Sequence, residues 1–320
     1  MDVGQELALT LLTATGVSVA ATPAWRWAAG RFGSLDVPNE RKVHAHPKPT
    51  SGGVAIIAGF LAAALVTGAF QQLHQRLPYG PLGLLSGCAI IVLLGLVDDR
   101  WEVPAKIKLL VQVLATFPLL FAGITIDWAS NPLAGGSVLV PHWLAWPITI
   151  LWVIAVTNAI NLIDGLDGLA AGVAAIACLA LGAVAVTWHR PLIAVFCLAL
   201  AGGALGYLPY NWHPASIMMG DTGAYFVGYS LAAITILGAT KVPAALAIFV
   251  PALVLAVPLF DTVLSPVRRF FSGKPAFQPD REHLHHRLLE LGFSVPRVVL
   301  LIYVVTALCS AIAVWISRKG

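Results

Sequence analysis

Two clusters of carboxylate and amide side chains interrupt a chain that is otherwise almost continuously apolar. The first contains Asn158, Asn161, Asp164 and Asp167. The second is the segment Gly-Asp-Thr-Gly at residues 220–223, in which Asp221 lies between two glycines and next to a threonine. A carboxylate in a bilayer costs roughly 2.5 to 3.5 kcal/mol even on lenient insertion scales, unless it has a partner or a function. Hard oxygen ligands of this kind suit Mg²⁺. Both clusters are therefore candidates for metal-assisted chemistry.

Each cluster also has a structural interpretation. The amides and carboxylates of the first cluster could form hydrogen bonds between helices, and Asp221 could cap the amino terminus of the helix that follows it. For Asp221 the two roles are compatible, because glycines beside a carboxylate leave room for a metal ion and phosphate oxygens.

A third polar segment contains the adjacent carboxylates Asp98 and Asp99, followed by Lys106 and Lys108. Neighbouring carboxylates at a helix end repel each other unless a cation lies beside them, and a lysine or a divalent metal ion supplies that cation. A hydrated helix end would explain the pair by itself. Together with the other two clusters, it indicates function.

Two further polar segments lie in loops. The first loop, residues 36–53, is basic and rich in proline and ends in Gly52-Gly53, which favours either a solvated loop or a phosphate-binding arm. The second loop, residues 280–287, has three histidines in four positions. Zinc is disfavoured there because no Cys or second His pair accompanies them. Imidazole and guanidinium groups facing a diphosphate fit the segment better.

The elements that carry these residues are membrane helices. Hydrophobic residues make up 58% of the chain and charged residues 11%, whereas a soluble domain carries about 25% charged residues. Runs long enough to cross about 30 Å of hydrocarbon predict ten spans, at residues 4–24, 53–70, 82–97, 107–123, 143–157, 169–187, 192–210, 224–239, 242–264 and 298–316. The fold class is therefore an all-α polytopic membrane protein with about ten transmembrane helices, forming a single domain over residues 1–320.

Charge placement predicts the orientation. Most of the 19 Lys and Arg residues follow spans one, three and nine, so the positive-inside rule places those loops in the cytoplasm and both termini outside. All acidic residues except Asp2, Glu6 and Asp127 fall on that same side. This asymmetry predicts an active-site cleft at the cytoplasmic face. It disfavours a transporter or flippase, which would place charges near the midplane.

Two other classes of protein are disfavoured. The net charge of +4 is carried by basic residues in short loops, which suits anionic headgroups rather than nucleic acid. A membrane metalloprotease is disfavoured because the chain has no His-Glu-x-x-His motif.

The five polar segments, in their order along the chain and on one side, resemble the polyprenyl-phosphate N-acetylhexosamine-1-phosphate transferase family (glycosyltransferase family 4), over roughly residues 36–293. Its members include the phospho-MurNAc-pentapeptide transferase of peptidoglycan synthesis and GlcNAc-1-phosphate transferases that begin other surface glycans. The resemblance implies transfer of a sugar 1-phosphate from a UDP-sugar to undecaprenyl phosphate, with release of UMP. It also implies Mg²⁺ or Mn²⁺ as the cofactor and a location in the bacterial inner membrane. A homodimer stays open as an alternative to a monomer.

The resemblance implies roles for the residues of this chain that match the family motifs. Asp221 would be a direct metal ligand, and Asn161 would contribute to the metal and diphosphate contacts. Asp98 and Asp99 would be the essential pair, with Asp98 engaging the acceptor phosphate, and Lys106 would contact the diphosphate. Direct in-line attack by the acceptor is favoured because polyprenyl phosphate is mostly dianionic at neutral pH. Double displacement through Asp98 or Asp99 stays open.

Three further groups of residues follow from the same match. The uridine pocket would be formed by Asp164, Gly165, Leu166 and Asp167, with Asp167 on the uracil edge. The phosphate and sugar of the donor would be lined by His283, His285 and His286. The polyprenyl phosphate would be contacted by Arg41, Lys42 and His44. One departure is Ala224, where the family often has Ser; the metal assignment to Asp221 does not depend on it.

The sugar is predicted from the last loop. His-Leu-His-His resembles the GlcNAc-1-phosphate enzymes, whereas the peptidoglycan enzyme carries three consecutive histidines. The expected donor is therefore UDP-GlcNAc or a related UDP-N-acetylhexosamine, with the MurNAc-pentapeptide donor as the alternative.

Overall fold

A computed structural model describes residues 2–32, 35–36, 47–130, 137–239, 244–262 and 284–319, and most of these are helical. The helices are α1 (Val3–Phe32), α2 (Gly53–Val66), α3 (Ala69–Arg76), α4 (Gly80–Trp101), α5 (Ala105–Phe121), α6 (His142–Ile163), α7 (Leu169–Thr187), α8 (Pro191–Asn211), α9 (Gly220–Ala239), α10 (Ala244–Val254), α11 (Leu284–Glu290) and α12 (Val295–Ser317). Residues 256–262 are also helical.

Two short antiparallel ladders complete the described secondary structure. Strand β1 (Leu35–Asp36) pairs with β2 (Lys48–Pro49), and β3 (Trp128–Ser130) pairs with β4 (Ser137–Leu139). Both ladders lie in connections between helices, so the architecture is all-α, as the sequence predicted.

Eight of the ten predicted spans overlap a single described helix; residues 53–70 cover α2 and the start of α3, and residues 242–264 cover α10 and the helical residues 256–262. Six of the described helices are long and apolar enough to cross a membrane, and a seventh span arises if α2 and α3, bent by 69°, are taken together. The protein is thus a multi-pass membrane protein, while the number ten stays a prediction. The bend falls at Gly68, whose positive φ of 66° ends α2 and redirects the chain into α3.

The centre of the bundle is formed by α7, α8 and α9, whose side chains are mostly buried. Helix α8 packs against α1, α2 and α7, and α9 packs against α4 and α6. Large apolar side chains on α4, α5 and α12 remain exposed. A helix that is apolar all round, with only one face packed on protein, is suited to hydrocarbon on its other face.

Small residues allow α9 to lie unusually close to its neighbours at the polar end of the bundle. A Cβ added to Gly53 of α2 would lie 2.0 Å from the Cα of Gly223, and one added to Gly95 of α4 would lie 2.4 Å from the Cα of Thr222. Such distances are far below van der Waals contact. Gly53 and Gly95 thus allow three helix backbones to meet around Asp221.

The same end of the bundle gathers seven helix termini. Helices α4, α6 and α8 end there, and α2, α5, α7 and α9 begin there, and side-chain contacts join these ends. Because successive antiparallel helices return to the same face, short connections bring distant polar motifs together.

Candidate active site

The amino terminus of α9 is held by a carboxylate from α4. Asp99 accepts hydrogen bonds from the backbone N–H of Asp221 (2.7 Å), the N–H of Thr222 (3.3 Å) and the Thr222 hydroxyl (2.7 Å). The first N–H groups of a helix have no partner within the helix, and an anion there is stabilised by the helix dipole. Asp99 therefore caps α9 from another helix, and this fixes the backbone of Asp221.

A loop before α2 reinforces the cap. The hydroxyl of Ser51 donates to Asp99 (2.7 Å), and the N–H groups of Gly52 and Gly53 donate to the carbonyls of residues 218 and 219. Gly220 has φ of 74°, and a Cβ on it would lie 2.6 Å from the Asp99 carboxylate. The end of the first polar loop is therefore packed against the segment that leads into Asp221.

Asp98 points about 100° around α4 from Asp99 and holds a lysine. Its Oδ2 accepts from Tyr225 (3.0 Å) and pairs with the Lys108 ammonium (2.5 Å), and its Oδ1 accepts from the N–H of Val103 (2.8 Å). The Lys108 ammonium also lies 3.6 Å from Asp221 Oδ2. One ammonium thus joins Asp98 to Asp221.

Exposure separates the two carboxylates that share this ammonium. The Asp98 side chain is 1% exposed, whereas those of Lys108 and Asp221 are 28% and 30% exposed. Within this cluster, Lys108 and Asp221 are therefore the groups open to a ligand. Asp98 is placed to act through them.

Asn161, at the end of α6, completes the cluster. Its amide Nδ2 donates to Asp221 Oδ1 (2.6 Å). One turn earlier, Asn158 and Gln112 of α5 exchange amide hydrogen bonds (2.6 and 3.3 Å). Asn158 therefore has the helix–helix role that the sequence left open. Because it joins α6 to α5, it also sets the register between Asn161 and Lys108.

The turn between α6 and α7 forms a second polar group. Asp167 Oδ2 accepts from the N–H of Ala215 (3.0 Å), from His213 Nδ1 (2.9 Å) and from the Lys48 ammonium (3.4 Å). The N–H of Gly168 donates to Asn211 Oδ1 (3.0 Å). These bonds attach the turn to the segment from α8 to α9, which continues into Asp221.

The other predicted pocket residues lie in the same turn. Asp164 is the carboxyl-terminal cap of α6 and is half-buried, Gly165 is exposed, and Leu166 is buried. Gly165 follows the polar Asp164 and is exposed, so backbone atoms of the turn are accessible there. Their contact with uridine stays a prediction.

The donor atoms suit a magnesium ion, although the described residues contain no group of three or more His, Cys, Asp or Glu that could hold a metal ion. Asp221 supplies an exposed carboxylate, whereas the enclosed Asp98 lies on the far side of the Lys108 ammonium. Mg²⁺ is usually bound by one or two carboxylates together with water and substrate phosphates. The carboxylates of Asp98, Asp99 and Asp221 also outnumber the single ammonium group of Lys108, which leaves an excess of negative charge at the site. The site fits the ion through Asp221, with Asn161 orienting it.

Several predicted residues fall outside this geometry. Lys106 is exposed and takes part in no ion pair among the described residues, so Lys108 is the lysine that reaches the carboxylates. The predicted residues Arg41, Lys42, His44 and His283 lie outside the described residues. His285 and His286 belong to α11, and their side chains lie outside the described part of the chain.

Sequence reasoning also missed three partners. Tyr225 follows Asp221 by four residues, a spacing that puts both on one face of a helix, so this signal was available. Lys48 and His213 lie 119 and 46 residues from Asp167. No local pattern connects them to it, because their contacts arise from tertiary packing.

The chain is similar to several known proteins over most of its length. Residues 81–239 match the profile of glycosyl transferase family 4. The chain is 37% identical over 293 residues to a Bacillus subtilis (strain 168) protein described as a probable undecaprenyl-phosphate N-acetylglucosaminyl 1-phosphate transferase, covering 92% of this chain and 80% of that one.

Two other relatives are similar over comparable lengths. A decaprenyl-phosphate N-acetylglucosaminephosphotransferase of Mycobacterium tuberculosis (strain ATCC 25618 / H37Rv) is 37% identical over 324 residues, covering 93% of this chain and 80% of that one. An undecaprenyl-phosphate alpha-N-acetylglucosaminyl 1-phosphate transferase of Yersinia pestis is 30% identical over 295 residues, covering 90% and 78%. These alignments span nearly all of this chain and most of each relative, which confirms the resemblance seen in the five polar segments: the chain belongs to glycosyl transferase family 4.

Proposed function

We propose that this protein transfers GlcNAc 1-phosphate from UDP-GlcNAc to undecaprenyl phosphate or a similar polyprenyl phosphate, with release of UMP. The observation that carries the proposal is the junction of Asp98, Lys108 and Asp221 at one end of the bundle. It combines an exposed carboxylate for a metal ion with an exposed ammonium for phosphate oxygens. The printed names of the three relatives support the same reaction.

Phosphoryl transfer requires positioning and charge neutralisation more than covalent assistance from the protein. Asp221 would hold Mg²⁺ or Mn²⁺, and the bound ion would neutralise charge on the diphosphate and on the UMP leaving group. Asp99 fixes Asp221 through its backbone, and Asn161 fixes its carboxylate. Both are positioning residues in this proposal.

Lys108 supplies the second positive charge. Its ammonium lies between Asp98 and Asp221 and is accessible, so it can pair with a phosphate oxygen of either substrate. Asp98 keeps the lysine next to Asp221. A carboxylate that is almost fully enclosed is a poor nucleophile toward a lipid-linked or nucleotide-linked phosphate, which supports direct attack by the acceptor. Contact of Asp98 with the acceptor phosphate stays a prediction.

The position of the cluster supports an enzyme rather than a transporter. Asp98 lies three residues before the end of α4, Lys108 in the first turn of α5, and Asp221 at the start of α9. These side chains sit at one membrane face, where both a soluble nucleotide sugar and a lipid phosphate have access. With the orientation given by the basic loops, that face is the cytoplasmic side of the inner membrane.

The same relatives bear on the donor. All three are named for N-acetylglucosamine, which favours UDP-GlcNAc over UDP-MurNAc-pentapeptide. The last loop, with its interrupted row of histidines, supports the same choice.

The proposal is tested with the purified full chain in detergent, undecaprenyl phosphate, Mg²⁺ and a panel of UDP-sugars. UMP release from UDP-GlcNAc is the expected result, together with loss of activity on chelation and recovery with Mg²⁺ or Mn²⁺. Release from UDP-MurNAc-pentapeptide alone would assign the peptidoglycan reaction instead. If no UDP-sugar gives UMP under conditions where the protein is folded, the proposed transferase activity is wrong.

A further inference from the structure

Asp167 has an unequal set of hydrogen-bond partners. Every contact that the described residues make with it falls on Oδ2, from Ala215 N–H, His213 Nδ1 and the Lys48 ammonium. The side chain is 10% exposed. An ionised carboxylate has about four lone-pair sites on two oxygens. Its Oδ1 is therefore left without a donor among the described residues, while the carboxylate itself is held tightly.

Two of these three donors fix the orientation of the Asp167 carboxylate plane. The Ala215 N–H belongs to the backbone and the His213 ring is planar, so both are directional, at 3.0 and 2.9 Å. The Lys48 contact is longer, 3.4 Å, and the ammonium group rotates freely. With the backbone donor alone, the carboxylate could turn about its Cβ–Cγ bond. The imidazole of His213 removes that freedom.

We propose that His213 is a positioning residue that selects uracil in the donor nucleotide, because it holds Asp167 with Oδ1 available to accept the uracil N3–H. The inference rests on the proposed function, whose UDP-sugar donor carries a uridine, and on the family resemblance, which implies a uridine pocket at Asp164 to Asp167. His213 and Asp167 come from different connections between helices, so this pair exists only in the folded protein.

Base chemistry makes the inference specific. Uracil presents an N–H at position 3, which a carboxylate accepts well, whereas cytosine presents a lone pair there, which a carboxylate repels. A site whose acceptor is held in place favours the base with the donor, and it disfavours the other base by repulsion. Turning of Asp167 would weaken that discrimination without emptying the pocket, because Lys48 could then bring a donor to either base.

The experiment measures UMP and CMP binding to the full-length protein in detergent with Mg²⁺ by calorimetry. His213→Leu is expected to weaken UMP binding about 10-fold, the effect of one hydrogen bond to a charged group. CMP binding should stay the same or become stronger, because turning of Asp167 relieves the repulsion between its Oδ1 and the lone pair of cytosine N3. His142→Leu, an exposed histidine at the start of α6, is the matched control and should change neither affinity.

Two polar variants keep the test decisive if His213→Leu folds poorly. His213→Asn places an amide N–H near the position of Nδ1 and should keep UMP binding within about threefold of the wild type, whereas His213→Gln places its amide near Nε2 and should bind UMP as weakly as His213→Leu. Equal weakening of UMP and CMP would mean that His213 only supports the fold. Unchanged UMP binding in both the Leu and Gln variants would also overturn the inference.

Failure of the proposed function would look different. A wild-type protein that prefers UMP over CMP and loses this preference in His213→Leu, but releases no UMP from UDP-GlcNAc, would retain the inference and refute the transferase assignment. A wild-type protein that releases UMP from UDP-GlcNAc and has a His213→Leu variant with undiminished nucleotide preference would do the reverse.

Discussion

Replacement of Asp99 by Asn tests whether this carboxylate caps α9. Asp99 Oδ1 accepts one hydrogen bond and Oδ2 accepts three, so the Asn amide would turn its NH₂ group toward the single donor, Asp221 N–H. The variant then loses one charge-assisted hydrogen bond, leaves a buried N–H facing another donor, and weakens the interaction with the helix dipole. The first loss costs about 1.5 to 3 kcal/mol, and the dipole term adds about 0.5 kcal/mol.

Thermal unfolding in detergent, followed by intrinsic fluorescence, measures this cost. A loss of about 2 kcal/mol corresponds to a Tm lower by roughly 4 to 8 °C on the scale of medium-sized domains. The matched pair Thr222→Val and Thr222→Ser isolates one of the four bonds. Thr222→Val removes the hydroxyl that donates to Asp99 at 2.7 Å and should lower the Tm, whereas Thr222→Ser keeps the hydroxyl and should lower it less.

The same variants separate stability from catalysis. Because Asp99 acts on Asp221 through the backbone, Asp99→Asn should retain measurable UMP release below its unfolding temperature, at a reduced kcat. A variant with wild-type Tm and no activity at any temperature would refute the capping argument, since a role in the chemistry itself would then be required. Wild-type stability in Thr222→Val would refute the hydrogen-bond assignment.

Four other outcomes are expected. Asp221→Asn should abolish UMP release yet stay folded, because its carbonyl can still accept from Asn161; Mg²⁺-dependent activity in this variant would contradict the metal assignment. Tyr225→Phe should lower kcat about 10-fold with little change in either KM, because one hydrogen bond to Asp98 is lost; unchanged kcat would remove Tyr225 from the site. UDP-GlcNAc without acceptor should leave no covalent adduct on Asp98 after acid quench and peptide mass analysis, and a labelled peptide would establish double displacement. Gly53→Ala should lower the Tm, since its Cβ would lie 2.0 Å from the Cα of Gly223, and an unchanged Tm would contradict the close packing of α2 on α9.

Much of the fold could be predicted from the sequence because hydrocarbon leaves few options. A backbone inside a bilayer must satisfy its own hydrogen bonds, so a long apolar run forms a helix. Eight of the ten predicted spans accordingly overlap a single described helix. The bend between α2 and α3 was not predicted, because Gly68 continues the apolar run and only its positive φ shows that the helix ends there.

The candidate site was partly predictable for the same reason. Asp98, Asp99, Asn161 and Asp221 stood out because polar groups are costly near a bilayer, and the structure brings all four together. The separate roles of Asp98 and Asp99 were not predictable. Adjacent residues on a helix point about 100° apart, so the sequence could not show which of the two adjacent carboxylates caps α9 and which one holds a lysine.

The sequence by itself determined that this is a helical membrane protein with its polar chemistry at one face, and its motifs were sufficient to indicate the family. Tertiary structure alone decided that Lys108, rather than Lys106, reaches the carboxylates, because residues two apart lie on nearly opposite sides of a helix and the rotation of α5 is set by packing. It also decided that His213 and Lys48 meet at Asp167. Those contacts join residues far apart in the chain, and only the antiparallel return of successive helices brings their ends to one place.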